Sequence, residues 1–377
     1  MRKAKRTILI ATLICAVVVP VCSAGAARSK AKPKHPTALE LLDRYTATRN
    51  KFRSFISKAE ETVKWHAFVR SRPYIKKGVE YYSHQKVELR SDGNKFFHFS
   101  KTWGYALGRG PVSEENSSYS HKLWDGESAY QYDYSPATPR GSKMENGSLI
   151  VKRKKDLSVP GHSLSNSSPG GPLRGGFYGS NERIDIELKQ RSDTMSVQPK
   201  MEEVNGSKCY VINAKAKGCE YKIWIDPGHD YHMAKAIIKR DWVSAGRPER
   251  YKNPPPRGNN SLYLKNVQFK KYDGVWVPIE CDHGFHFRTA DGGYEKNDYH
   301  HRITEFVINP DHDALGSFEC DFVRNGARVY VSGIHGITYT WQDGQVVDEN
   351  GRVIMDCRPK KPSGSARSKP NSPENRP

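Results

Sequence analysis

The sequence lacks the short motifs that identify several classes of enzyme and metal-binding protein. It contains no Cys-x-x-Cys pair, and this absence removes the common thiol-redox and zinc signatures. It also contains no Gly-x-Ser-x-Gly, the turn that presents the nucleophile of many serine hydrolases. We therefore predict no catalytic residues and no cofactor. A secreted hydrolase stays open as a minor alternative, because the paired carboxylates of glycosidases need no local motif.

Long apolar runs are scarce as well. The one candidate extends from Thr7 to Val21, which is shorter than the roughly 20 apolar residues of a membrane-spanning helix. Four basic residues precede it, and small residues suited to cleavage follow at Cys22 to Ala24. This order predicts a secretory signal peptide over residues 1–24. We expect the cleaved chain to be soluble, in the periplasm or outside the cell.

Cysteine is infrequent, and two of the seven cysteines lie in the predicted signal peptide. The other five are Cys209, Cys219, Cys281, Cys320 and Cys357. Five is an odd number, so at least one thiol stays unpaired or pairs between chains. So few cysteines in a chain of this length do not indicate a disulfide-dense scaffold, and the sequence leaves their pairing open.

Acidic residues are outnumbered, with 41 Asp and Glu against 61 Lys and Arg, and the net charge is +20. Removal of the four basic residues of the signal peptide lowers it to +16. This excess predicts an anionic partner such as lipid head groups, the envelope surface or acidic polysaccharide. The basic residues are spread along the chain without the aromatic motif of a nucleic-acid module, so no nucleic-acid partner is predicted. We expect a monomer.

The composition divides the chain into four parts. Residues 25–36 are small, basic and proline-containing, which is typical of a flexible lead-in. Residues 37–357 form the predicted domain, with mobile insertions near 158–180 and 245–260 that are rich in Gly, Ser or Pro. Residues 358–377 are basic, contain no large apolar side chain and are predicted to be disordered.

Two helices are predicted. The first follows Thr37, because Ala38, Leu41, Leu42 and Tyr45 recur at helical spacing and Glu40 completes a capping box. The second is predicted near residues 182–190. Each can cover part of a sheet that has one apolar face.

The rest of the domain has the composition of β-strands. Nine Asp-Gly or Asn-Gly dipeptides, which favour hairpin turns, separate many of the strands. The predicted strands are 79–89, 95–100, 121–134, 208–214, 220–226, 267–272, 275–280, 328–331 and 337–341. The pattern predicts an α+β fold in which helices cover the concave face of a strongly curved antiparallel sheet.

Several hairpins also carry a family resemblance. Trp224-Ile225-Asp226-Pro227 follows Asn205-Gly206, and Gly274-Val275-Trp276-Val277-Pro278 comes later, while Leu123-Trp124-Asp125-Gly126 forms a similar hairpin upstream. In this order the motifs resemble exported bacterial proteins of the outer-membrane lipoprotein carrier (LolA-like) superfamily, from 37 to 347. The resemblance implies an open half-barrel whose apolar interior holds acyl chains or a lipidated partner. No position matches the lipoprotein-release residues of that family, so the cargo is not carried over.

Three tryptophans are the predicted ligand-binding residues, Trp124, Trp224 and Trp276, because each lies in one of the resembling hairpins. Most of the seven tryptophans are interpreted as core or sheet-face residues, with a hydrophobic cavity or a carbohydrate platform as the alternative. The adjacent carboxylates Glu60-Glu61 and Glu202-Glu203 are interpreted as solvated rather than as an acid and base pair.

Histidines and aspartates recur in three groups whose side chains are of the kind that bind metal ions. The groups are Asp226, His229, Asp230 and His232, then Asp282, His283 and His286, then His300 and His301. The first group has the sequence of a turn, and His283 and His286 of the second group would face opposite sides of a strand because they are three positions apart. No metal is therefore predicted.

Together these features predict an exported, non-catalytic carrier or binder of an amphipathic ligand, a lipid or a lipidated protein, in the cavity of its sheet. The alternative is a surface or matrix protein that binds acidic polysaccharide through its basic charge.

Overall fold

The structure is a computed structural model that describes most of the predicted domain. The described residues are 35–68, 80–106, 110–136, 146–153, 171–177, 183–190, 194–216, 219–241, 259–288, 293–334 and 336–358. The predicted signal peptide, most of the lead-in and tail, and most of the two predicted insertions lie outside them. Within the described residues, no helix has the length and apolar character needed to cross a membrane.

Helices are few and short in comparison with the strands. Helix α1 spans Ala38–Asn50 and helix α2 spans Ile184–Lys189, while 3₁₀ turns occupy Gly171–Arg174 and Pro227–His229. The strands are β1 (Ser54–Phe68), β2 (Tyr81–Asp92), β3 (Phe96–Ala106), β4 (Gly110–Val112), β5 (Ser118–Trp124), β6 (Ser128–Tyr134), β7 (Ser148–Arg153), β8 (Met195–Val197), β9 (Glu202–Val204), β10 (Ser207–Ala216), β11 (Cys219–Asp226), β12 (His232–Asp241), β13 (Asn259–Tyr272), β14 (Val275–Arg288), β15 (Tyr294–Ile308), β16 (Arg328–Val331), β17 (Tyr339–Gln342), β18 (Gln345–Val347) and β19 (Val353–Asp356).

The strands form one large sheet, and nearly every neighbouring pair is antiparallel. Strand β1 lies inside the sheet with β2 on one side and β15 on the other. From β15 the sheet continues through β14, β13, β12 and β11 to β10, and from β2 through β3, β5 and β6 to β7. Strand β16 pairs parallel with β7 and leads to β17, β18 and β19. The described strands do not close into a barrel, and the predicted antiparallel sheet is confirmed.

Helix α1 forms where the capping signal places it. The Thr37 hydroxyl accepts a hydrogen bond from the Glu40 backbone, and the Glu40 carboxylate accepts one from the Thr37 backbone. Both bonds satisfy backbone or cap donors that a helix start leaves open. Leu41, Leu42 and Tyr45 then lie on one buried face. They pack in one apolar cluster with strand residues of β10 to β14. We call the sheet face that contacts α1 the inner face.

The other face of the sheet, the outer face, carries a separate core beneath the C-terminal strands. Adjacent residues of β3 show the division, because Phe96 packs with inner-face residues while Phe97 belongs to the other cluster. Val329, Trp341 and Val346 from β16 to β18 are buried against Phe97 and its neighbours. Successive strand residues point to opposite faces, so one sheet supports two cores.

The hairpin turns agree with the dipeptides that predict them. Asp273 and Gly274, which join β13 to β14, have φ values of 48° and 79°. Positive φ at both positions is the requirement of a type I′ hairpin turn, which Asp-Gly meets at low cost. Nine of the described strands were not predicted: β1, β4, β7, β8, β9, β12, β15, β18 and β19. The single strand predicted over 121–134 is two strands, β5 and β6. Strands β1 and β15 are rich in charged and polar residues, so they lack the β-branched and aromatic composition on which strand prediction depends.

None of the five cysteines within the described residues forms a disulfide. Cys209, Cys219 and Cys281 are buried in the sheet, and Cys320 and Cys357 are partly buried beside the C-terminal cluster. Burial raises the pKa of the Cys209 thiol to about 12, which keeps it protonated and unreactive.

Candidate functional site

A small cavity lies on the inner face of the sheet at the C-terminal end of α1. Its volume is about 20 Å³, which leaves room for about one water molecule. The wall is mostly apolar and consists of Arg49, Phe52, Phe55, Ser57, Leu89, Leu173, Val277, Pro278, His301, Ile303 and Phe306. Apolar walls with a few convergent polar groups are typical of small-molecule sites, but such sites measure roughly 300–1,000 Å³, so this cavity admits a ligand only if part of its wall moves.

An irregularity in β15 places two parts of that wall on the same face. The pairing of β1 with β15 runs from Ser57 opposite Phe306 to Ala59 opposite Ile303, so Thr304 is an extra residue. In a regular strand, Phe306 and His301 would point to opposite faces, because they are five positions apart. The bulge resets the alternation, and both side chains line the cavity.

Arg49 is the only basic side chain of the cavity wall other than histidine, and it is only 7% exposed. Its guanidinium lies over the Phe52 ring, 4.4 Å from the ring centre. Within the described residues it forms no ion pair, and its Nε has no hydrogen-bond partner. Burial lowers the pKa of Arg49 to about 10, so the guanidinium is still charged at neutral pH.

Tyr45 lies one helical turn before Arg49 on the same face of α1, and it is also buried. Its hydroxyl has no hydrogen-bond partner. A Cβ added at Gly175 would lie 2.6 Å from this hydroxyl, so Tyr45 abuts the segment that follows the first 3₁₀ turn. Burial raises the pKa of Tyr45, although the charge of Arg49 acts in the opposite direction.

A second polar group extends from the cavity wall into the sheet. Glu61 of β1 is 2% exposed, and its Oε2 lies 3.2 Å from His301 Nδ1 and 3.3 Å from His283 Nε2. Burial alone would raise the pKa of Glu61, but hydrogen bonds from the two histidines outweigh it and hold the pKa at about 2. The Glu61 carboxylate is therefore ionised and satisfied by its own neighbours.

The end of α1 is held by a turn between β11 and β12. The Asp230 backbone carbonyl accepts a hydrogen bond from the Thr48 hydroxyl, and its carboxylate lies 2.9 Å from Lys51 Nζ. His232 stacks on Phe52 and donates from Nε2 to the backbone carbonyl of Trp276 at 2.7 Å. These contacts fix the position of Phe52 in the cavity wall.

The three tryptophans predicted to bind ligand are not brought together. Trp124 is buried in the inner-face cluster that includes Phe52 and Phe55, but it does not line the cavity. Trp224 is buried in a different cluster from its neighbours on the strand, and its Nε1 donates to Glu202 at 2.8 Å. Trp276 is half-buried and packs edge-on against His229.

The histidine and aspartate groups form local hydrogen bonds. Asp226 accepts from Gly228 N and lies 2.7 Å from His229 Nδ1, as expected for a turn. Asp282 lies 2.9 Å from His300 Nδ1 at the surface. No cluster of three or more metal-ligating side chains with suitable geometry occurs in the described part of the chain.

The interpretation of Glu60-Glu61 as a solvated pair is wrong for Glu61. Adjacent strand residues face opposite sides, so Glu60 is exposed while Glu61 is buried between two histidines. Sequence reasoning also missed Arg49 and His301 as site residues. The apolar alternation of Ala59, Val63 and their neighbours in β1 is the signal that could have placed Glu61 on the inner face.

Comparisons with known proteins find little similarity. The chain matches no protein-family model and no curated protein. A protein of unknown function with a hot dog fold from Alicyclobacillus acidocaldarius aligns with 66% of this chain and 79% of its own length, at 7% identity and a TM-score of 0.12. An N-terminal dehydratase from the difficidin assembly line aligns with 74% and 85%, at 10% identity and a TM-score of 0.11. Such low TM-scores carry no argument about fold or function.

Proposed function

We propose that the protein is an exported, non-catalytic carrier or binder of an amphipathic ligand, a lipid or a lipidated protein, on the inner face of its sheet. The observation that carries this proposal is the cavity at the end of α1, whose wall is mostly apolar and contains one buried cation. We propose further that the sheet is a LolA-like half-barrel whose concave face is covered by the helices.

For a ligand to bind, its acyl chain must replace protein side chains that now pack against the inner face of the sheet. Leu173 and Phe177, on and beside a four-residue 3₁₀ turn, are 5% and 2% exposed and pack with sheet residues. An acyl chain that replaced these two side chains would bury a comparable apolar area, so the exchange would cost little hydrophobic free energy. The cavity beside Leu173 is then the point from which the ligand site opens.

The binding of acidic polysaccharide stays a prediction from net charge, and the described outer face does not favour it. Across neighbouring strands, Lys86, Glu60, Arg302 and Glu280 alternate in sign along one row. Alternating charges neutralise one another locally, whereas a polyanion site requires a patch of one sign.

Native mass spectrometry of the protein purified from its own envelope tests the proposal. We expect a co-purifying lipid or lipidated peptide at one per chain. The absence of any bound lipid or lipidated peptide would contradict the proposal.

A cavity-filling variant makes the test specific to this site. Leu173→Phe adds aromatic bulk to a wall that leaves room for only about one water molecule, so we expect bound ligand to decrease several-fold. Leu315→Phe makes the same change at a side chain that is 58% exposed and should leave binding unchanged. An equal loss in both variants would show that the ligand binds elsewhere.

A further inference from the structure

We infer that the ligand of the inner face is a single-chain amphiphile with a carboxylate head group, and that Arg49 is its counterion with Tyr45 as a hydrogen-bond donor. This inference rests on the proposed function and deepens it, because it assigns the chemical class of the ligand.

Arg49 is a buried cation without a hydrogen-bonded partner at its Nε. The residue is 7% exposed, and proteins normally compensate a charge buried to this extent with a paired carboxylate. The Arg49 guanidinium lies over the face of Phe52, and the Asp185 carboxylate acts on it as a nearby charge without forming an ion pair. A cation left in this state in an apolar wall has the properties of a site for an anion that arrives from outside.

The nearby carboxylates are already engaged. Asp185 is fully buried, and its carboxylate lies 2.7 Å from Arg183 Nη2 and 2.8 Å from the Thr46 hydroxyl. Glu61, behind the opposite wall, is bonded to His283 and His301. The described buried carboxylates therefore form their hydrogen bonds with other partners. Asp185 acts on Arg49 as a nearby charge but forms no ion pair with it, so the hydrogen-bonding capacity of the guanidinium remains available.

Tyr45 supplies the second polar group. Its hydroxyl is buried without a partner and lies on the same face of α1 as Arg49. A buried hydroxyl without a hydrogen bond costs about 1–3 kcal/mol, and a carboxylate bound to Arg49 offers it an acceptor. Tyr45 is not part of the cavity wall, but it lies one helical turn from Arg49, so a carboxylate seated at Arg49 can reach both donors if its head group extends past the wall toward α1.

The charge and the apolar character of the cavity wall further restrict the chemical class of the ligand. Arg49 is the one Lys or Arg of the described wall, and a single cation balances a single negative charge. The wall beyond it consists of Phe52, Phe55, Leu89 and Phe306, whose apolar character favours a hydrocarbon chain over a polar ligand once Leu173 and Phe177 give way. A fatty acid combines both features.

The test compares three probes that differ only in their head group, namely oleate, oleyl alcohol and oleylamine. Each is titrated below its aggregation concentration into delipidated full-length protein by calorimetry or native mass spectrometry. We expect oleate to bind at one per chain at least tenfold more tightly than the alcohol, with the amine weakest.

Two matched variants assign the preference to Arg49. Arg49→Met should weaken oleate binding at least tenfold while oleyl alcohol still binds, and the retained alcohol binding shows that the variant is folded. Arg44→Met removes the same charge from an exposed position of the same helix and should change neither affinity. Tyr45→Phe should weaken oleate binding by a smaller factor.

The outcomes separate the two proposals. Equal binding of oleate and alcohol, or equal effects of Arg49→Met and Arg44→Met, would overturn the carboxylate inference and leave the amphiphile carrier standing. If no probe binds and native protein also carries no lipid, the proposed function itself fails.

Discussion

Arg49 illustrates how one residue can destabilise the folded protein and still serve ligand binding. Its side chain is long enough to pack over Phe52, but no carboxylate of the described chain pairs with it. Isolated charges are rare in protein interiors, because burial of an unpaired ion costs several kcal/mol. A retained charge at a cavity is therefore explained better by ligand binding than by stability.

The free-energy cost of burying the Arg49 charge leads to a prediction for the ligand-free protein. Arg49→Met should raise its free energy of unfolding by about 1–4 kcal/mol, because an apolar side chain replaces an uncompensated buried charge. Urea denaturation of delipidated protein at pH 7 measures the change. Arg44→Met is the control at an exposed site, and it should lower the free energy of unfolding by about 0.5–1 kcal/mol, because it removes the contact of Arg44 with the Tyr231 ring and hydroxyl. A large loss of stability in Arg49→Met would mean that the guanidinium has an internal partner.

Glu60 and Glu61 show the limit of residue-level reasoning. Two adjacent glutamates give the same local signal, yet one is exposed and the other is buried between His283 and His301. The sequence predicts neither fate until the strand and its partners are known, because the histidines come from strands more than 200 positions away.

At the scale of elements, Gly284 of β14 has a steric role. It lies between Tyr263 of β13 and Asp298 of β15, and the Tyr263 hydroxyl crosses it to donate to the Asp298 carboxylate. A Cβ at position 284 would lie 2.1 Å from the Asn297 carbonyl oxygen and 2.8 Å from Tyr263 Oη. The absence of a side chain therefore allows three strands to pack together at this point.

We expect Gly284→Ala to lower the free energy of unfolding by about 3 kcal/mol or more, since the new methyl group meets backbone that cannot move independently. Gly274→Asn is the matched control, because Gly274 has no atom near its Cβ position and asparagine tolerates its positive φ. Thermal unfolding of both variants measures the difference. Equal small effects would show that β14 and β15 can separate locally.

For the whole molecule, the buried groups Glu61 and His232 and the half-buried His121 predict how stability depends on pH. Burial lowers the pKa of His232 to about 3 and that of His121 to about 4, and the hydrogen bonds of Glu61 hold its pKa at about 2. In the unfolded chain these groups bind protons near pH 6.5 for His and 4.5 for Glu. As pH falls below 6.5, the unfolded state therefore takes up protons that the folded state does not, and stability decreases.

The contribution of His232 can be isolated. His232→Gln keeps an amide donor for the Trp276 carbonyl but removes the titration, so the decrease in stability between pH 6.5 and about 3 should be less steep by about 1.4 kcal/mol per pH unit. Urea denaturation across this pH range measures the slope. His84→Gln, at an exposed histidine, is the control, because its removal changes no buried group. An unchanged slope in His232→Gln would contradict the proposed burial of a neutral imidazole.

Features that depend on neighbouring residues can be predicted from the local sequence. The capping box and apolar spacing predicted α1, and Asp-Gly and Asn-Gly turns predicted most hairpins of the antiparallel sheet, because helix starts and tight turns are decided by a few adjacent side chains. The cavity, in contrast, forms only when distant parts of the chain pack together. Its wall brings the end of α1 together with β1, β14 and β15, so it combines residues between positions 49 and 306 of the sequence. The bulge at Thr304 also reverses the face on which the later residues of β15 lie. Register and long-range pairing set these contacts, and neither is encoded by local periodicity.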